Sequence, residues 1–337
     1  MEIEINGKEE VREIKEPNRQ LPWKVRFLYP TEMTSHFEEI MEKVIMTLKK
    51  EILPKWAAVF PREETLAWKY DVPSLIVRVD FTVDSDVYLY EVEDSPAGIG
   101  MAKIAIQKFG KTLQELGLME VTVIVPPREK GGDDYLWASE VIEVKNDEDF
   151  SKVKTPMVAP RIENLPSWLI ERSIWPVKYR KDKSYLERFG GEKWDGERSF
   201  EVIANEYENS GKEGIVFQVS PSSKTEGTWI TLFKPAKKEA QNWLKKGKGE
   251  IGIWSLKRTL RDVQEEIKQG KTLYLREFRW PIKVVVNGSP QYGIIRYFFG
   301  FSTKKSEWMP LGGFLNTRPS LLIHGASDSF FVPITAP

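Results

Sequence analysis

Apolar residues Met33, Phe37, Ile40, Met41, Val44, Leu48 and Ile52 recur at helical spacing, and Ser35 with Glu38 fits a capping box. The pattern predicts an amphipathic helix over 33–52. Leu75 to Phe81 and Val87 to Glu93 alternate instead, with a short polar run between them, and predict two strands joined as a hairpin. After the break Ser95-Pro-Ala-Gly-Ile-Gly100, helical spacing resumes from Met101 to Leu116. Val121–Val125 and Glu140–Val144 predict strands of a small α/β lobe spanning about 101–180.

The charged, glycine-bearing stretch from Arg180 to Gly214 predicts a connection, with Ser184–Phe189 helical inside it. Gly214–Val219 and Thr228–Phe233 predict strands, the second closed by Lys234-Pro235. Lys237 to Gly249 is polar and lysine-rich and predicts a mobile loop or lid, or alternatively a helix with a glycine stop. Ser255–Gln269 predicts a charged helix, Leu273–Phe278 a strand, and Lys283–Val286 with Gly293–Phe299 a hairpin turning near Asn287-Gly288. No fixed-period repeat is present. The pattern as a whole predicts mixed α/β (α+β) lobes, with an antiparallel sheet carrying the hairpin at 75–93.

Composition narrows the chemistry. At 337 residues, with 41% hydrophobic and 30% charged, the chain is a folded protein of two or three lobes rather than a disordered segment. Fifty basic side chains balance fifty acidic ones, which removes the global excess of a dedicated nucleic-acid binder. The twelve Trp and the lysines of 224–271 leave single-stranded nucleic acid as a minor alternative. With no Cys and only His36 and His324, any catalytic metal must sit on oxygen ligands, which favours magnesium or manganese. The charged N-terminus has no secretory pattern and no long apolar run occurs, so a cytoplasmic protein away from membranes is expected.

Strand alternation puts Arg78 with Asp80, and Glu91 with Glu93, on shared faces. Converging carboxylates call for a cation or a basic partner, although a solvated hairpin face explains the same pattern and is the plainer account. The lysines of 234–249 with Gly247 and Gly249 suit a polyphosphate, or form an ordinary soluble segment. Phe109-Gly110-Lys111-Thr112 lacks the first glycine and the strand of a P-loop, and no GxSxG elbow accompanies His324, Ser327 and Asp328. Trp308 to Pro319, with Gly312-Gly313 and Arg318, has the composition of loops that approach a ligand.

Taken in order, RVDF…YEVEDSPAGIG (78–100), TWITLFKP, LYLREF, Arg296 and Gly312-Gly313 with Arg318 resemble the circularly permuted ATP-grasp ligases, which include eukaryotic-type glutathione synthetases and bacterial peptide-ligase-like proteins. The resemblance spans about 70–330 and rests on motif order. It implies a grasp fold divided as 1–100 (N-terminal part with the acidic hairpin), 101–195 (small α/β lobe), 196–280 (nucleotide-binding lid lobe) and 281–337 (C-terminal part). It also implies ATP and Mg2+, with Lys234, Gly247, Lys248, Gly249 and Glu277 at the nucleotide and Asp80, Glu91 and Glu93 at the metal. Arg296, Arg318 and Arg78 would then serve catalysis, joining a small-molecule or peptide carboxylate to an amine through an acyl phosphate. Glu93 stands where the family usually has Asn, and the loop has lysines where glycines are usual. A catalytically silent, nucleotide-binding or assembly protein is therefore the alternative.

Overall fold

A computed structural model describes residues 2–14, 23–31, 35–84, 86–94, 98–125, 138–154, 156–158, 162, 165–178, 182–221, 227–245, 256–323 and 328–337. The chain begins with three strands, β1 (Glu2–Ile5), β2 (Gly7–Ile14) and β3 (Trp23–Pro30). The hairpin follows as β4 (Ile76–Val83) and β5 (Val87–Glu93), and β6 (Thr122–Val125), β7 (Glu140–Glu143) and β8 (Met157–Val158) form the small lobe. Next come β9 (Glu192–Lys193), β10 (Gly214–Ser220), β11 (Thr228–Leu232) and β12 (Thr272–Glu277). The chain ends with β13 (Ile282–Val286), β14 (Ser289–Ser302), β15 (Glu307–Arg318) and β16 (Phe330–Ile334).

These strands build a nine-stranded sheet in the order β1-β13-β14-β15-β16-β3-β2, with β4 also pairing β14 and β5 pairing β4. The sheet is mixed, because β1 pairs β13 and β16 pairs β3 in parallel, although around the hairpin it is antiparallel as expected. Consecutive strands β1 and β2 occupy its two ends, so the sheet curls until its edges meet. Around that seam the Asn287 N–H donates to the Ile5 carbonyl at 3.0 Å, and the Thr31 N–H donates to the Asn6 carbonyl at 3.1 Å. Gly7 lets β2 approach β3 closely, since a Cβ there would lie 2.4 Å from the Tyr29 carbonyl oxygen. A four-stranded sheet, β11-β10-β12-β9, stands against the large one, and β7-β6-β8 is a parallel three-stranded sheet.

The helix expected over 33–52 is Ser35–Thr47, burying Phe37, Met41, Val44 and Ile45, and it runs on through a π-turn at Leu48–Ile52 into Leu53–Ala57. The helix expected over 101–116 is instead two, Ile99–Ala105 and Phe109–Glu115, because Ile106 turns extended and is buried. The lysine-rich segment takes the helical alternative, not the loop, where it is described. Lys234–Lys245 is a helix with Pro235 in its first turn, where a missing N–H costs nothing, and it buries Ala236, Ala240, Trp243 and Leu244. The stretch Trp308 to Pro319 is also mostly strand, since β15 runs to Arg318. A helix at Phe200–Asn209, capped by the Ser199 hydroxyl, falls inside what was expected to be a connection. The hairpin turn at Asn287-Gly288 has positive φ at both residues, as a tight β-turn of this kind requires. Among the described residues no helix is long and apolar enough to cross a membrane.

Candidate functional site

Register places the acidic hairpin on β14. Asp80 pairs with Glu91 on one side and Arg296 on the other, while Arg78 pairs with Glu93 and Phe298. Cross-strand partners project to the same face, so two arginines and three carboxylates meet there. Gly313 of β15 packs tightly beside them, because a Cβ would lie 2.2 Å from the Arg296 carbonyl oxygen.

The cluster is buried and charge-paired. Arg78 grips Asp80 with two hydrogen bonds of 2.6 and 3.0 Å and reaches Glu93 at 2.6 Å. Arg296 lies 3.4 Å from Asp80 and donates to the Ile323 carbonyl at 3.2 Å. Lys183 is 2% exposed and lies 3.2 Å from Glu91. Burial pushes the Glu93 carboxyl up to about 7; Arg78 pulls against this, and Glu91 and Asp80 reinforce it. Burial works to lower the Arg78 pKa, but the carboxylates outweigh it and hold the guanidinium above its ordinary value. Arg296 is lowered by burial, with Asp80 opposing and Arg78 adding to the effect.

Above this face lies a solvent-open cleft, walled by β10, β11 and β12 on one side and by β4, β5 and β14 on the other. Part of its lining is apolar, with Val216, Ile230, Phe278, Ile294, Leu321 and Ile323. Polar side chains line it as well, among them Asp80, Tyr88, Tyr90, Glu91, Arg276 and Arg296. The four-stranded sheet is clamped to β5. Arg276 donates to the carbonyls of Leu89 at 2.6 Å, Tyr90 at 3.1 Å and Phe189 at 3.2 Å. Tyr88 and Tyr90 return hydroxyl bonds to the carbonyls of Glu277 at 2.7 Å and Arg279 at 3.0 Å.

Of the residues expected at the site, Asp80, Glu91 and Arg296 line the cleft, and Arg78 and Glu93 lie in the buried cluster beside them. Lys234 does not line the cleft and sits exposed at a helix start. Glu277 ends β12 with its side chain toward Arg279, 3.3 Å away, and Arg318 bonds Asp328 at 2.7 Å and the Leu322 carbonyl at 3.0 Å. Gly247, Lys248, Gly249, His324 and Ser327 fall outside the described residues, as does the side chain of His36.

The magnesium implied by the resemblance does not fit these carboxylates as they stand. Both Asp80 oxygens bond Arg78, Glu93 faces the same guanidinium and Glu91 faces Lys183. Among the described residues no group of three His, Asp or Glu side chains is placed to hold a metal ion.

Gln218, Arg276, Tyr88, Tyr90 and Lys183 were not singled out from the sequence. The alternation of Gly214–Ser220 carried a usable signal for the first, since Ile215, Phe217 and Val219 share one face and leave Val216, Gln218 and Ser220 on the other. The chain matches no protein-family model, and a search of curated proteins finds no match.

Proposed function

We propose that the cleft binds ATP and that the protein is an ATP-dependent carboxylate–amine ligase of the permuted grasp type. One observation carries the reading: between two sheets the chain builds a cleft with an apolar part and a charged part. That suits a ligand with a flat heterocycle and an anionic tail. In the reaction a carboxylate oxygen attacks the γ-phosphorus and releases ADP. An amine then attacks the acyl carbon and displaces phosphate, leaving an amide. Catalysis of this kind is positioning and charge neutralisation, and Arg296, largely buried on the cleft wall and not tied to backbone carbonyls on three sides as Arg276 is, suits that role.

Thermal denaturation with and without ATP tests the reading, since a ligand at a hundredfold excess over its Kd adds about 2.7 kcal/mol to the native state. The shift should disappear in Arg296→Met and persist in Lys234→Ala. A wild-type protein that does not respond to ATP sinks it. A second reading, a nucleotide-binding protein without turnover, is favoured by the carboxylates being paired with Arg78 and Lys183 rather than open to a cation. ADP release on mixing with pools of carboxylates and amines separates the two.

A further inference from the structure

A second open groove adjoins the cleft and shares Tyr88, Arg279 and Pro281 with it. Five carboxylates line it: Glu2 of β1, Asp84 and Asp86 at the β4–β5 turn, Glu213 just ahead of β10, and Glu239 of the helix Lys234–Lys245. Among the described residues its lining holds two cations, Arg279 and Lys283. The chain as a whole balances fifty basic side chains against fifty acidic ones, so the negative excess is local to the groove. Both cations are already engaged. Lys283 lies 2.7 Å from Glu239, and Arg279 lies 3.3 Å from Glu277, which is not part of the lining.

The spread of the carboxylates decides what kind of cation fits. Among the described residues no three acidic side chains converge on a point that could hold a metal ion. The carboxylates share the groove with Val83, Val87 and Pro281 and with the rings of Tyr88 and Trp280. A ligand that suits both kinds of surface carries separated positive charges on a hydrocarbon chain, with methylenes on the apolar parts and ammonium groups at the carboxylates. Lys283 shows how this wall receives an ammonium: its Nζ has Glu239 at 2.7 Å and the centre of the Trp280 ring at 5.9 Å. An anion is repelled by the same lining, and a neutral chain gains nothing from the carboxylates.

We propose that this groove is a binding site for a linear aliphatic polyamine. The proposal goes beyond the ligase reading, because it holds whether or not the cleft turns over a nucleotide.

Isothermal titration of the full chain without nucleotide, at low ionic strength, tests it with butylamine, cadaverine, spermidine and Mg2+. Affinity should rise from butylamine through cadaverine to spermidine by roughly 2- to 5-fold for each added ammonium, and should fall as salt is added. Mg2+ should bind less tightly than cadaverine, which carries the same charge. Asp86→Asn combined with Glu213→Gln should weaken spermidine roughly 4- to 25-fold. Both side chains are exposed, and the amides keep the acceptors that the Val87 N–H and the Trp280 Nε1–H use, so the fold should stand. Asp147→Asn with Glu148→Gln makes the same change of charge at exposed positions on the small lobe and should leave the affinity as it was. Spermidine that binds wild type no tighter than butylamine or Mg2+, or an equal loss in the two double variants, overturns the proposal. Either result leaves the nucleotide reading to its own test, the thermal shift with ATP. A protein that ignores ATP but shows the graded amine affinities loses that reading and keeps this one.

Discussion

Replacing Glu93 by Gln isolates the electrostatic cost of the buried cluster. The Glu93 side chain is 14% exposed, and burial raises its carboxyl from 4.5 to about 7, with Glu91 and Asp80 adding to the effect. A folded-state pKa above the unfolded one means that the native state binds the proton more tightly. Its contribution to stability is therefore full below about pH 4.5 and is lost as pH rises through about 7. At about 1.4 kcal/mol per pH unit the full loss is about 3.5 kcal/mol, of which about 2.5 kcal/mol falls between pH 5 and pH 8. Glutamine keeps the shape and an acceptor for Arg78 but cannot ionise. Urea unfolding of both proteins across that window should therefore show the variant gaining on wild type by about 2.5 kcal/mol as pH rises. A constant offset between the two curves would refute the reasoning, because the cost of ionising Glu93 would then be absent from the folded protein.

Other substitutions probe the same region. Arg78→Met leaves Asp80 and Glu93 buried without their shared cation and should cost about 3–5 kcal/mol by urea unfolding at neutral pH; a loss below about 1 kcal/mol would mean that the carboxylates do not depend on it. Gly313→Ala forces a Cβ to within 2.2 Å of the Arg296 carbonyl and should destabilise by about 1–3 kcal/mol. Gly110→Ala, in a helix with nothing within 4 Å of the added methyl, should instead stabilise by about 0.5–1 kcal/mol. Arg276→Lys keeps the charge but cannot reach three carbonyls at once. Amide exchange in β10 and β12 should quicken while that of the far strands β2 and β3 is unchanged; equal protection in both proteins would show that the clamp is dispensable.

The parts of the fold that were legible are those where periodicity and punctuation agree. β4 and β5 alternate and are separated by a polar turn, the Asn287-Gly288 pair demands a tight hairpin, and the helix Leu256–Lys268 was expected over nearly the same residues. β2 was not legible because most of its side chains face water, so Gly7–Ile14 reads as charge with two apolar residues. Lys234-Pro235 misled because a proline after a strand signals its end equally well whether a loop or a helix follows. Gly312-Gly313 misled because glycine marks loops on average. Here φ is +104° at Gly312 and a bulge lies opposite at Phe298/Phe299, so the pair lets β15 pass close to β14.

The site shows the same division between where groups lie and what they do. Spacing within each strand put the carboxylates on common faces, and the structure brings those faces together on β14. The identity of their partners was not legible, because it depends on long-range register. Lys183 reaches Glu91 from a segment some ninety residues away, and Arg296 reaches Asp80 from more than two hundred. These partners change the chemistry, since carboxylates that look like an open metal cradle in sequence are closed by arginine and lysine in the fold. If the cleft works on a nucleotide, the energy to reopen such pairs must come from ligand contacts that replace them, as a buried charge tolerates no interval without a partner. A ligand that met only the apolar wall would leave the pairs as they are. One that engaged Arg296 would draw that cation from Asp80 and leave Arg78 as its partner, so Arg78 is what would let a phosphate take Arg296 without stranding a buried carboxylate.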